Sequence, residues 1–190
     1  KIMGKDDLKI LGSWSSPYTI RVRIALNMKS VEYEFLGETF GTKSELLLKS
    51  NPVHKKMPVM IHNGKPICES LIIVEYIDEV WSSGPSILPS DHVQRAIARF
   101  WGAYVDEKFY PIFRGLHTAR DQEAKKAVAQ QVAETLDVLE NAFVELSNGK
   151  PFFGGDTVGY VDIALGSRLG WIRALSKLDG LTLLDGSKFP

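Results

Sequence analysis

Strand-forming runs in this chain stop at one place. Through Trp81, short β-rich stretches alternate with short helical patterns, and beyond residues 82–90 (SSGPSILPS) only helical spacing remains. That stretch carries Gly84, Pro85 and Pro89 and reads as a linker. A break of this kind predicts an α/β unit followed by an all-helical one, and 190 residues suffice for two such cores.

In the first part, residues 8–11 (LKIL) read as a strand and 16–29 as a helix. Strands follow at 33–36 and 58–62, then the turn signal Asn63-Gly64, a returning strand at 66–68 and a helix over 71–81. The order βαβ, irregular helix, β-hairpin, α is that of a small α/β sandwich. In the second part, Ile97, Trp101, Tyr104 and Val105 recur at helical spacing until Pro111 must bend or end the helix. A long helix follows over 122–146, with Val132, Leu136, Leu139, Phe143 and Leu146 on one stripe, and a third over 159–175.

Composition narrows the function. Lys plus Arg equals Asp plus Glu at 23 each, so no global basic field draws the chain to nucleic acid or anionic lipid. No apolar run reaches membrane-spanning length, and the first residues have no signal-peptide character, so a cytosolic protein is expected. The single cysteine, Cys68, excludes an internal disulfide and a cysteine-based metal cluster, and reads as a small buried hydrophobe.

The chemistry concentrates in the first part. Ser16 precedes Pro17, which suits the first position of a helix, so Ser16 suits its N-cap. By residue type alone this is a plain cap; with a ligand there, the helix end favours an anion. Met57-Pro58 leads into a strand, and a cis bond there would turn the Met57 backbone outward. Glu69-Ser70 opens the next helix, offering a carboxylate for an ammonium beside N–H groups for a carboxylate. Lys43, Lys55 and Lys56 supply cations. A zwitterionic, twice-carboxylated, peptide-like ligand would satisfy all of these groups.

The runs SPYTIRVRIAL (16–26), KSELLLKSNPVHKKMPVMIHNGKPICES (43–70), LIIVEYIDE (71–79) and YVDIALG (160–166) closely resemble the plant tau-class glutathione transferases. The resemblance implies a thioredoxin-like domain (βαβαββα) over 6–81, a linker over 82–90 and a helical-bundle domain over 91–190 carrying most of the electrophile pocket. It implies a cytosolic homodimer that takes glutathione as co-substrate, with no metal or other cofactor, and small hydrophobic electrophiles as second substrates. Peroxide reduction is an open side activity, within a role in detoxification and stress response.

Residue by residue, Ser16 resembles the serine that hydrogen-bonds the glutathione sulfur, and Lys43 and Lys56 the residues holding its glycine carboxylate. Met57 stands where a branched aliphatic is usual, acting through its backbone, while Glu69 and Ser70 resemble the pair that binds the γ-glutamyl end. Phe40, Tyr110, Arg114 and Trp171 fall at lining positions of the electrophile pocket, and so does His117, where an aromatic is usual. The family further implies that Arg21 and Asp106 pair.

Two departures stand out. Tau-class chains continue past the equivalent of Pro190 into a helix that roofs the pocket, so either more chain follows here or the pocket is open. Gly159 takes an N-cap place usually held by Ser or Thr, leaving Asp162 to cap the backbone alone. A thiol transferase on the same fold would need a cysteine at the first helix, where positions 15 and 16 are serine. A carrier of glutathione or hydrophobic ligands without turnover is the remaining alternative.

Overall fold

The computed structural model describes residues 7–184 and 186, so the expected domain limits at 6 and 190 lie outside the described residues. The chain divides into two compact units, residues 1–87 and 88–190.

The first unit follows the expected order: β1 (Leu8–Gly12), α1 (Pro17–Met28), β2 (Glu34–Gly37), α2 (Glu45–Ser50), β3 (Val59–His62), β4 (Lys65–Cys68) and α3 (Ser70–Val80). The strands lie in the order β2-β1-β3-β4, with β1 and β2 parallel and the β1–β3 and β3–β4 pairs antiparallel. The central strands are apolar on both faces because both faces are covered. Leu11, Val59 and Ile61 pack with Leu47 of α2, and with Leu36, Met57 and Cys68 at the margin. Alternation sends Ile10 and Met60 to the other face, where both are fully buried. Helices α1 and α3 pack together, each burying one stripe: Val22, Ala25 and Leu26 on α1, and Ile73, Val74 and Ile77 on α3.

Residues 82–87 are more than a tether. Lys29 Nζ donates to Pro85 O at 2.8 Å, Ser83 Oγ donates to Lys29 O at 2.6 Å, and Ile87 is buried.

The second unit comprises α4 (His92–Tyr104), a π-helical turn (Val105–Phe109), α5 (Tyr110–Thr118), α6 (Gln122–Ser147), α7 (Tyr160–Gly166) and α8 (Leu169–Asp179). Asp91 caps α4 by accepting from Val93 N and Gln94 N, and Asp121 caps α6 by accepting from Ala124 N at 2.8 Å. Pro111 does not end the helix: it stands in the first turn of α5, and the turn before it widens to π geometry, which accommodates the missing N–H. On α6, Val132, Leu136 and Leu139 are buried, whereas Phe143 and Leu146 are half-buried and Ala142 takes the core position.

The helix expected over 159–175 is two helices. The chain breaks at Ser167 and Arg168, where Ser167 Oγ donates back to Ala164 O and Arg168 N donates to Leu165 O. The break turns Arg168 inward, leaving it 1% exposed. Asp162 accepts from Gly159 N at 2.8 Å, so the carboxylate caps α7 where glycine has no side chain to do so.

Candidate functional site

Sheet register assembles the candidate site. Leu11 pairs with Val59, and Val59 with Cys68, so three strands end in one row. From that row emerge the loop that carries Ser16, the Met57-Pro58 segment and Glu69-Ser70. Stretches far apart in sequence therefore meet at one end of the sheet.

Ser16 is the N-cap of α1. Its Oγ accepts a long bond of 3.5 Å from Thr19 N, and its own N–H donates to Ser13 O at 3.1 Å. The hydroxyl proton is donated to no group among the described residues, which leaves it for an anion at the helix end. The residue is 3% exposed, so any such bond lies in a poorly solvated place, whereas Ser15 is exposed. Gly12 makes this tight turn possible: a Cβ there would lie 2.5 Å from the Thr19 side chain.

The Met57-Pro58 bond is cis, and Met57 is half-buried. Ahead of it, Asn51 organises a turn that sequence reasoning missed. Asn51 Nδ2 donates to Lys56 O at 2.9 Å, and Asn51 Oδ1 accepts from His54 N at 3.0 Å. Pinned from below, Lys55 and Lys56 stay exposed. Lys43 is also exposed, one residue before Ser44, which caps α2 by accepting from Leu47 N.

Glu69 takes φ 71° and ψ 119°, a conformation that disfavours any residue with a Cβ. Backbone strain of this order costs about 1–3 kcal/mol and gathers at binding sites. The carboxylate makes no cap bond to its own helix, and His54 Nε2 lies 4.0 Å from it. Next to it, Ser70 is 5% exposed and its Oγ accepts from Arg21 Nη1 at 3.2 Å, tying α1 to the start of α3. Cys68 is half-buried rather than buried, and its Sγ contacts Ser50 O at 3.6 Å. Burial, and then the Glu69 carboxylate, push its thiol pKa up.

Phe40 of the first unit is 61% exposed, beside the bridge between Thr39 and Thr42. In the second unit, Tyr110 stacks under Arg168, whose guanidinium carbon lies 4.1 Å from the ring centre. His117 meets Trp171 edge to face at 6.2 Å, and Arg114 is exposed. Asp106 accepts from Arg168 at 2.6 Å. Among the described residues no helix is long and apolar enough to cross a membrane, and no three metal-binding side chains gather.

Two family models match: the glutathione S-transferase N-terminal domain over residues 6–79 and the C-terminal domain over 96–184. Glutathione S-transferase U17 of Arabidopsis thaliana is 58% identical over 99% of this chain and 83% of its own length. The crystal structure of a tau-class glutathione S-transferase from mango, Mangifera indica, is 63% identical, with a TM-score of 0.92 over 97% of this chain and 84% of that one. Rice GST1, solved in complex with glutathione, is 37% identical, with a TM-score of 0.83 over 93% and 79% of the two chains. With both halves matched in order and identities this high over nearly its full length, the chain belongs to the tau class of the glutathione S-transferases.

Proposed function

We propose that this protein is a serine-type glutathione transferase, in which Ser16 holds the glutathione sulfur as a thiolate for attack on hydrophobic electrophiles. The observation that carries the reading is the convergence of Ser16, Met57, Glu69 and Ser70 from one row of paired strand ends. In this assignment Glu69 takes the γ-glutamyl ammonium and Ser70 its carboxylate. The Met57 backbone pairs with the peptide part, and Lys43 and Lys56 neutralise the glycine carboxylate. Tyr110, Arg114, His117 and Trp171, with Phe40, contact the electrophile.

A free thiol has a pKa of about 8.5, so roughly 3% is thiolate at pH 7. A hydrogen bond from Ser16 to the anion is worth about 1.5–3 kcal/mol, and the helix end adds about 0.3–1. Together they lower the thiol pKa by about two units. Thiolate then rises about 25-fold while its nucleophilicity falls about 10-fold, so the net gain from the shift alone is small. Most of the rate comes from holding thiolate and electrophile in reacting geometry.

Retention on immobilised glutathione, followed by conjugation of an activated aryl halide, tests this. Retention without turnover selects the carrier alternative, and loss of both sinks the glutathione reading. We extend the proposal to a cytosolic homodimer; a stable monomer in sedimentation at micromolar concentration contradicts the dimer, and cell fractionation checks the compartment.

A further inference from the structure

Arg168 occupies an unusual place within the helical unit. It is the N-cap residue of α8, just past the end of α7, and at 1% exposure it is one of the largest fully buried side chains. A buried guanidinium requires compensation, and Asp106 supplies it at 2.6 Å. Asp106 belongs to the π-helical turn, the segment that departs from α geometry just before Tyr110 and Pro111. The same guanidinium lies 4.1 Å from the centre of the Tyr110 ring, close enough for a cation–π contact. One turn further on, Trp171 meets His117 of α5.

From this geometry we infer that Arg168 is a positioning residue for the second substrate: held by Asp106, it fixes the plane of the Tyr110 ring and so favours planar aromatic electrophiles over small aliphatic ones. The inference rests on the transferase reading for its substrate. Arg168 itself does not touch the electrophile; it acts through Tyr110. A planar guanidinium is needed for the stack, and a lysine ammonium reproduces the charge without the plane.

The test compares benzyl and allyl isothiocyanate, which share the reacting group and differ in the aromatic ring. In Arg168→Gln, kcat/KM for the benzyl compound falls about fivefold or more, within what a misplaced contact group costs. The allyl value and the KM for glutathione stay within about twofold. In a Tyr110→Ala background, Arg168→Gln changes the benzyl-to-allyl ratio by less than about twofold, because residues acting through one another are not additive. Should Arg168→Gln fail to fold, Arg168→Lys keeps the ion pair with Asp106, lacks the planar group, and loses the same selectivity. Equal losses for both electrophiles, or a full additive loss without Tyr110, overturn the proposal. A wild-type protein that conjugates neither compound removes the transferase reading instead. The proposal then stands or falls on a crystal structure of Arg168→Lys: a displaced Tyr110 ring supports it and an unmoved ring overturns it.

Discussion

Lys29 at the end of α1 and Asp78 in α3 form an ion pair of 2.8 Å with their side chains only 2% and 9% exposed. The pair also grips the chain that leaves α3, since Lys29 Nζ donates to Pro85 O and Asp78 Oδ1 accepts from Ile87 N at 2.9 Å. Removing the lysine alone strands a carboxylate without its counter-charge. Lys29→Met therefore costs about 3–5 kcal/mol in urea unfolding, and adding Asp78→Leu returns only part of that loss, because Ile87 N then lacks its acceptor. A Lys29→Met protein as stable as its parent would contradict this account.

Ser16 rather than Ser15 is expected to act on the thiol. Ser16→Ala raises the pKa of bound glutathione by about one to two units, the worth of one charge-assisted hydrogen bond, and Ser15→Ala leaves it unchanged. The thiolate absorbance of bound glutathione against pH measures both. A shift in Ser15→Ala alone would move the assignment to the neighbouring serine.

Lys43 and Lys56 are exposed and assigned to binding, not to the reacting sulfur. Replacing either by Ala raises the KM for glutathione more than it lowers kcat, the mark of an interaction equally strong before and during reaction. Unchanged KM in both variants would make them ordinary surface charges.

Cys68 offers a check on Glu69. Burial and the neighbouring carboxylate both hold the thiol pKa above its usual range, which keeps the thiolate scarce at neutral pH. Glu69→Gln removes one of the two causes, so the pKa falls and alkylation of Cys68 by iodoacetamide at pH 7.5 accelerates. Alkylation no faster than in the parent would mean the carboxylate does not act on the sulfur.

Asp162 accepts from three backbone donors, Phe153 N, Gly154 N and Gly159 N, at 3.0, 3.0 and 2.8 Å. Gly154 lies so close that an added Cβ would sit 2.5 Å from Thr157 O. Asp162→Ala leaves those donors without their acceptor and costs about 1–3 kcal/mol or more, read as a lower urea midpoint. Glutathione affinity per folded molecule stays unchanged, because the contact belongs to folding.

Local chemistry made much of this protein legible in its residues. The short apolar runs LKIL and PVMIH, the Asn63-Gly64 turn and the apolar stripe of α6 each arise within a few residues, as do the caps at Ser16 and Asp162. Reading the site as glutathione-binding also drew on family resemblance, since a serine before a proline is by itself only a helix cap. Other features depended on contacts between distant residues. The split of the last helical stretch follows from the burial of Arg168 against Asp106, a demand that no helical propensity at Ser167 announces. The left-handed turn of Glu69 is imposed by its junction between β4 and α3, and nothing about a glutamate signals it. Likewise the pairing of Leu11 with Val59 and of Val59 with Cys68 decides which loops share an end of the sheet. Register is a property of whole strands packed on a common core, so only the tertiary structure could bring Ser16, Met57 and Glu69 to one place.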